Sequence, residues 1–455
     1  MGDIFALSNL FLFSALSDSK SFINVLNFEF DILILNSWII LIMTFPVLGV
    51  TLYFLIGLNG STKRMRKRYN DIDRVLLPKL PINKEVFEKL NAKNSYLANI
   101  SKYVYKKTGY PVYINTDIVY YDDAATGLDA QKKELQKAEK FIFMEYHTIE
   151  DSESSHGIQN ILEERAKAGV RVFYDDMGSI GSINTDFVNR MKSKGIQCRV
   201  FNPFIPVLKI FLNNRDHRKI TVIDGKVGFT GGYNLADEYF HVTKPYGLWK
   251  DTGIKLTGDA VKSLTVAFLE MWNAVKENER KDYDIDSYLL DVEYEAKNKN
   301  YVQPYVDNPM SNEHIGEGVY ISVIESAEKY IWFVTPYLII TDEMMYALSL
   351  AAKRGIDVRI ITPGIPDKKI VYSMTRSFYG GLVKNGVRIF EYTPGFCHCK
   401  MCVSDDRVAT CGTINLDYRS LYHHFENGCL YYDCQAVLDT KKDFEKMFCE
   451  CREVT

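Results

Sequence analysis

His217 and Lys219 stand two residues apart, with Asp224 five residues beyond the lysine and Asn234 ten further on; His398, Lys400, Asp405 and Asn415 repeat that spacing. On an extended strand, residues two apart project from one face, so each copy presents an imidazole beside an ammonium group. Gly231–Gly232 and Gly412–Thr413 lie between the aspartate and the asparagine, as turn residues where backbone comes close to another group. A single His-x-Lys is weak evidence, because most such pairs are chance or lie on solvated strand faces. Two copies in register carry far more weight. Facing one another, two imidazoles, two lysines and two carboxamides suit a phosphodiester. The lysines and amides compensate its charge without a metal. One imidazole attacks phosphorus to form a covalent intermediate, and the other donates a proton to the leaving alkoxide and later deprotonates the acceptor. The residues alone do not say which imidazole does which.

Such imidazoles need carboxylates on their second ring nitrogens. Asp251 in "WKDTG" and Glu426 in "HFENG" follow the two motifs at similar distances and are the candidates to orient them. Asn234 and Asn415 are candidate phosphate ligands. Asp224 and Asp405 complete the motif, yet five residues past the lysine they face the other side of an ideal strand, which suits binding of backbone or basic groups. Arg376 and Tyr379 are weaker candidates for headgroup contact, and Glu145 and Tyr337, at matched strand ends, for lining the cleft. The run "CHCKMC" at 397–402 invites a zinc reading. Strand alternation turns Cys397 and Cys399 away from His398, and no second Cys/His cluster completes four ligands, so no metal is expected. Nine cysteines without secretory spacing fit a reducing compartment, most of them as small core hydrophobes.

The elements that must position these groups are duplicated. "KAEKFIFMEY" (137–146) parallels "SAEKYIWFVTPY" (326–337), and "AKAGVRVFYDD" (166–176) parallels "AKRGIDVRIITPG" (352–364). The offsets are 189 residues for Ala138 and Ala327, 186 for Gly169 and Gly355, and 181 for His217 and His398. So slow a drift indicates an internal repeat. In both halves a helical stretch ends at glycine and a β-branched run follows, the signature of a capped helix feeding a strand. Alternating strands and helices predict α/β lobes with largely buried sheets.

Ahead of the repeat, residues 33–58 run 26 residues without a charge, longer than the roughly 20 a membrane helix needs. Pro46 and Gly49 predict a kink. Five basic residues fall within Lys63–Arg68, placing everything after residue 59 on the cytoplasmic side and against anionic headgroups. The stretch 4–16 is too short to span.

At 455 residues, with 47% hydrophobic and 25% charged residues, the chain accommodates a large duplicated core. A net charge of −3 gives no basic footprint for nucleic acid.

The doubled His-x-Lys-x4-Asp, with "NRDHRKITVIDGKVGFTGGYNLADEY", "WKDTGIKLTG", "RSFYGGLVKNGVRIFEYTPGFCHCKM" and "GTINLDYRSLYHHFENG", closely resembles the phospholipase D superfamily, and within it bacterial cardiolipin synthases, over about residues 33–450. The resemblance implies two pseudo-symmetric lobes, each a mixed β-sheet flanked by helices, behind an N-terminal transmembrane helix. It implies transfer of a phosphatidyl group from one phosphatidylglycerol to another with release of glycerol, through a phosphohistidine. The catalytic set carried over is His217, Lys219, Asp224, His398, Lys400 and Asp405, with His217 as nucleophile. No metal or organic cofactor is implied. The partners are phosphatidylglycerol and anionic lipids of the bacterial plasma membrane. Hydrolysis, or transfer with another lipid donor or alcohol, is the alternative within the same chemistry. The expected organisation is an apolar segment at 1–32, a membrane helix at 33–58, a basic linker helix at 59–107, lobes at 108–285 and 319–455, and a connection at 286–318. No pattern speaks to oligomeric state.

Overall fold

The computed structural model describes residues 38–53, 60–203, 214–275, 285–289, 293–298, 300–311 and 313–455. The chain divides into two compact units, residues 1–67 and 68–455.

In the first unit, residues 38–44 are helical, the helix breaks at Phe45, and a second begins at Pro46 (Pro46–Leu52). The Trp38 and Tyr53 rings lie 5.6 Å apart, whereas a straight helix would separate these residues by ~22 Å. Gly49 permits the reversal: a Cβ there would sit 2.7 Å from the Ile42 Cα. The expected kink is therefore a fold-back. Proline lacks the N–H that would continue the first helix, and glycine lets the two backbones touch. Among the described residues no helix is long and apolar enough to cross a membrane. Residues 33–37 and 54–58, and all of 1–32, lie outside them.

The second unit contains two sheets of one topology. The first is built from β1 (Thr116–Tyr121), β2 (Ile142–Tyr146), β3 (Val170–Asp175), β4 (Gln197–Phe201), β6 (Lys219–Ile223), β7 (Val227–Gly231) and β8 (Gly253–Gly258), with β5 (Arg215–Asp216) just before β6. The second is built from β9 (Tyr301–Asp307), β10 (Tyr330–Val334), β12 (Asp357–Pro363), β13 (Arg388–Tyr392), β14 (Met401–Ser404), β15 (Val408–Gly412), β17 (His424–Tyr432) and β18 (Cys451–Val454). Short strands β11 (Leu338–Ile339) and β16 (Leu416–Asp417) pair separately. Strand order is β1-β8-β7-β6-β2-β3-β4 in the first sheet; the second reads β9-β17-β15-β14-β10-β12-β13, with β18 added beyond β13. β2-β3-β4 and β10-β12-β13 are parallel, and the remaining neighbours in these orders antiparallel. The duplication thus extends to register.

Two expectations are corrected. The stretch 286–318 is not merely a connection, because β9 within it is buried along its length and pairs with β17. Charged, irregular flanks concealed it, and Pro304 speaks against a strand. Residues 59–107 are not a linker helix either. Helices Gly60–Leu76, Lys84–Lys93 and Ser95–Thr108 are separate, and the last packs on β9 and on helix Ile315–Ser326, so the compact unit begins at Arg68 rather than at 108.

The predicted glycine caps are present: Gly169 and Gly355 adopt φ of +85° and +91° at the junctions into β3 and β12. Helix Val261–Ala274 is buried on nearly every side, packing on β6 and β9. Buried Ile142, Met144, Val170 and Val172 fill the layer beneath the helices of the first sheet, each contributing roughly 1.5–3 kcal/mol of transfer free energy.

Asp224 and Asp405 join sheet to turn. Asp224 accepts the backbone N–H groups of Glu139, Lys140 and Phe141 at 2.7–2.9 Å, and Asp405 those of Glu328, Lys329 and Tyr330 at the same distances. Both have φ of +54°. They pin the entries of β2 and β10. Grouping them with the catalytic residues on the strength of the motif is therefore corrected: their carboxylates are spent on backbone.

Candidate active site

The two histidines lie two and three residues ahead of β6 and β14, at the end of each sheet where β2 and β10 finish, because β6 and β14 run antiparallel to those strands. Each histidine-bearing segment lies along the other half's carboxylate strand. β5 pairs parallel with the start of β17, and His217 N–H donates to the Phe425 carbonyl at 2.8 Å. Lys250 pairs with Cys397, and His398 N–H donates to the Lys250 carbonyl at 2.8 Å. The carboxylates are therefore exchanged between halves. His217 Nδ1 lies 2.9 Å from both oxygens of Glu426, and His398 Nδ1 lies 2.6 Å from Asp251 Oδ2. Both imidazoles are 7% exposed and both carboxylates are buried.

The two anchors are built differently. Glu426 also accepts from Ser420 Oγ at 2.6 Å and from Thr413 Oγ1. Asp251 accepts the Thr252 N–H at 2.8 Å and sits so close to Gly232 that a Cβ there would lie 2.1 Å from its Oδ1. The Gly-Gly and Gly-Thr turns thus reflect carboxylates of different length: glycine clears space for Asp251, and the threonine hydroxyl holds Glu426.

Lys219 Nζ donates to the His217 carbonyl at 2.6 Å; Lys400 Nζ donates to the His398 carbonyl and lies 2.8 Å from His398 Nδ1. Burial, opposed by Glu426 and reinforced by Lys400, pushes Lys219 down to about 7, and burial against the opposing pull of Asp251 pushes Lys400 down to about 8. Burial, then the adjacent lysine, drives each imidazole well below its ordinary value. His398 is lowered further by the charges of Lys219 and His217, so the two half-sites act on one another. Burial raises Asp251 to about 7 against the pull of Lys400. An arriving phosphodiester anion relieves this mutual repulsion and restores protons to the basic groups.

The asparagines differ. Asn234 is engaged on both sides of its amide, accepting from Thr148 N–H at 3.1 Å and donating to Tyr239 Oη at 2.7 Å. Asn415 Oδ1 is buried without a hydrogen-bond partner. Tyr379 is not at the site: it is buried, with its hydroxyl 2.7 Å from Thr362 Oγ1. Arg376 lies 3.4 Å from Glu391. Glu145 pairs directly with Ile220, so it occupies the sheet face opposite Lys219, near Asp216 and Arg218, where burial raises its carboxyl. Tyr337 does border the site, its ring 6.3 Å from Phe396, which is 5.9 Å from His398.

Sequence reasoning missed the residues flanking the imidazoles. Trp249 packs 5.5 Å from His398, and His424, at the matching place in the other half, 5.4 Å from His217. Both stand two residues before an orienting carboxylate, a signal readable by aligning "WKD" with "HFE". His147 lies 5.0 Å from His217, its Nδ1 held 2.7 Å from the Asp216 carbonyl. Neither ring nitrogen of His424 has a hydrogen-bond partner. Among the described residues, His217, His424 and Glu426 form the cluster whose donor atoms, all within 4.8 Å of one another, have the composition of a metal site. The buried Lys219 ammonium beside them disfavours a cation there. The nine cysteines are free, seven of them buried, and Cys399 Sγ donates to the Lys250 carbonyl; among the described residues the metal-like cluster contains no cysteine.

Residues 320–448 match the family described as the cardiolipin synthase, PLD-like domain. A cardiolipin synthase of Halalkalibacterium halodurans is 32% identical over 90% of this chain and 81% of its own length, and one of Geobacillus kaustophilus is 32% identical over 90% and 82%. The chain belongs to the cardiolipin synthase family. An uncharacterized protein of Streptococcus mutans is 39% identical over 96% of this chain and 94% of its own. The crystal structure of the phosphatidylserine synthase of Haemophilus influenzae, at 16% identity, shares the fold with a TM-score of 0.59 over 78% of this chain and 92% of that one.

Proposed function

We propose that this member of the cardiolipin synthase family transfers a phosphatidyl group between two phosphatidylglycerol molecules. Its relatives' activity supports phosphatidyl transfer as the reaction. The observation that carries the mechanism is the exchanged pair of anchors, His217 on Glu426 and His398 on Asp251, around two buried lysines. Glu426 offers both oxygens to His217 Nδ1. That favours the tautomer with a proton on Nδ1 and a lone pair on Nε2, the form a nucleophile needs. His217 Nε2 attacks phosphorus, the bond from phosphorus to the headgroup glycerol oxygen breaks, and His398 gives its proton to that departing alkoxide, leaving the phosphatidyl group on His217. The terminal hydroxyl of a second phosphatidylglycerol then loses its proton to His398 and attacks phosphorus. The P–N bond breaks, releasing cardiolipin and freeing His217. Lys219, Lys400 and the Asn415 amide offset phosphate charge throughout; Asn234 contributes by holding Tyr239 and the strand end.

In this reading residues 33–58 anchor the chain in the bacterial plasma membrane. The basic run after them keeps both lobes on the cytoplasmic side. Full-length protein in mixed phosphatidylglycerol and phosphatidylethanolamine vesicles, with chelator present, is expected to yield cardiolipin and free glycerol. Phosphatidic acid as the main product would instead assign hydrolysis.

A further inference from the structure

Three segments that border the site end in exposed apolar side chains. Helix Lys369–Ser377 turns Val371, Tyr372 and Thr375 inward and leaves Ile370 and Met374, one turn apart, 79% and 48% exposed. Exposed Ile365 lies in the turn before it. The segment after β3 exposes Met177 and Ile180, and the segment leading to Trp249 exposes Val242.

Each segment is tied to a site imidazole. Asp367, beside the helix, accepts from Tyr337 Oη at 2.5 Å, and Tyr337 packs through Phe396 to His398. Ser179 donates to the His147 carbonyl at 3.4 Å, and the His147 ring packs on His217. Tyr246 lies 6.2 Å from Trp249, which packs on His398. The exposed charges on these segments are basic: Lys244, Lys368, Lys369 and Arg376. Their two carboxylates, Asp176 and Asp367, are only partly exposed. Apolar tips flanked by cations around a recessed site have the make-up of a surface that sinks into an anionic bilayer.

We propose that these segments form a rim, led by Ile370 and Met374, that docks the mouth of the active site on anionic lipid. The rim delivers headgroups to the buried imidazoles without drawing the lipids into water. The inference rests on the phosphatidyl-transfer reading. The N-terminal segment keeps the protein at the membrane, whereas the rim decides which face meets it.

The test uses full-length protein and the double variant Ile370→Glu/Met374→Glu, whose positions already face solvent. Cardiolipin formation from phosphatidylglycerol vesicles is expected to fall at least about tenfold. Activity on monomeric short-chain phosphatidylglycerol should stay within about twofold of the parent, since that substrate needs no docking. Tyr346→Glu, at a position 69% exposed on another helix, should change neither. Undiminished vesicle activity in the double variant, or equal losses on both substrates, overturns the rim. Separately, Ile370→Trp in vesicles with brominated acyl chains should be quenched beyond the parent's own tryptophans. Lack of added quenching overturns the rim even if wild-type protein makes no cardiolipin from either substrate, a result that would refute the transfer reading instead.

Discussion

Glu426→Gln and Asp251→Asn test the exchange of anchors directly, because each removes one carboxylate charge with little change of shape. In Glu426→Gln the amide nitrogen or oxygen must occupy a place 2.9 Å from His217 Nδ1, while Ser420 and Thr413 still present hydroxyls. A hydrogen bond to a charged group contributes about 1.5–3 kcal/mol, which corresponds to roughly 10–150-fold in rate. An amide N–H facing Nδ1 also favours the tautomer with its proton on Nε2, which removes the attacking lone pair, so the combined loss should reach about 10²–10³-fold. Asp251→Asn should cost a similar factor on phosphatidylglycerol, because His398 loses support for its charged form.

The two variants separate on a phosphatidyl ester whose alcohol departs as a stable anion. Such a leaving group needs no proton, so Asp251→Asn should recover most of the rate of phosphohistidine formation, measured by rapid quench with labelled lipid. Glu426→Gln should not recover. Recovery of Glu426→Gln alone would mean that each carboxylate serves the histidine of its own half or that the two imidazoles exchange roles, and the mechanism above would be refuted.

Raising pH should weaken substrate binding before it slows turnover. Lys219 and Lys400, held down to about 7 and about 8 in the free site, lose their charge as pH rises through those values, whereas bound phosphate keeps them protonated. KM for phosphatidylglycerol should climb from neutral to mildly alkaline pH with a smaller change in kcat; a flat KM would contradict the assignment. Gly232→Ala puts a methyl group 2.1 Å from Asp251 Oδ1 and should reduce activity roughly 10–100-fold, less than Asp251→Asn because the carboxylate charge stays, with melting temperature checked alongside. Asp224→Ala and Asp405→Ala each strand three backbone N–H groups and should cost about 2–4 kcal/mol in denaturant unfolding. At low temperature the folded fraction should retain the parent's kcat, and a thousandfold drop there would return these aspartates to the chemistry.

Much of this protein was legible in the chain itself. The twin His-x-Lys motifs, the slow drift in offset between repeats and the glycines closing helix-to-strand junctions are local features, set by strand alternation and by the backbone freedom of glycine. They led to the lobes, to the two His-x-Lys pairs that the fold brings together, and to Asp251 and Glu426 as the carboxylates that lie beside the imidazoles. β9 escaped because its partner β17 is more than a hundred residues away in sequence, and neither its flanks nor Pro304 reads as strand. The partnership of Glu426 with His217 and of Asp251 with His398 could not be read in one dimension, since spacing alone ties each carboxylate to the nearer histidine. It follows from each histidine-bearing segment lying along the opposite sheet's carboxylate strand. The same packing brings two lysines into one dry space and lowers their proton affinity, a property of distance and burial that no residue carries by itself.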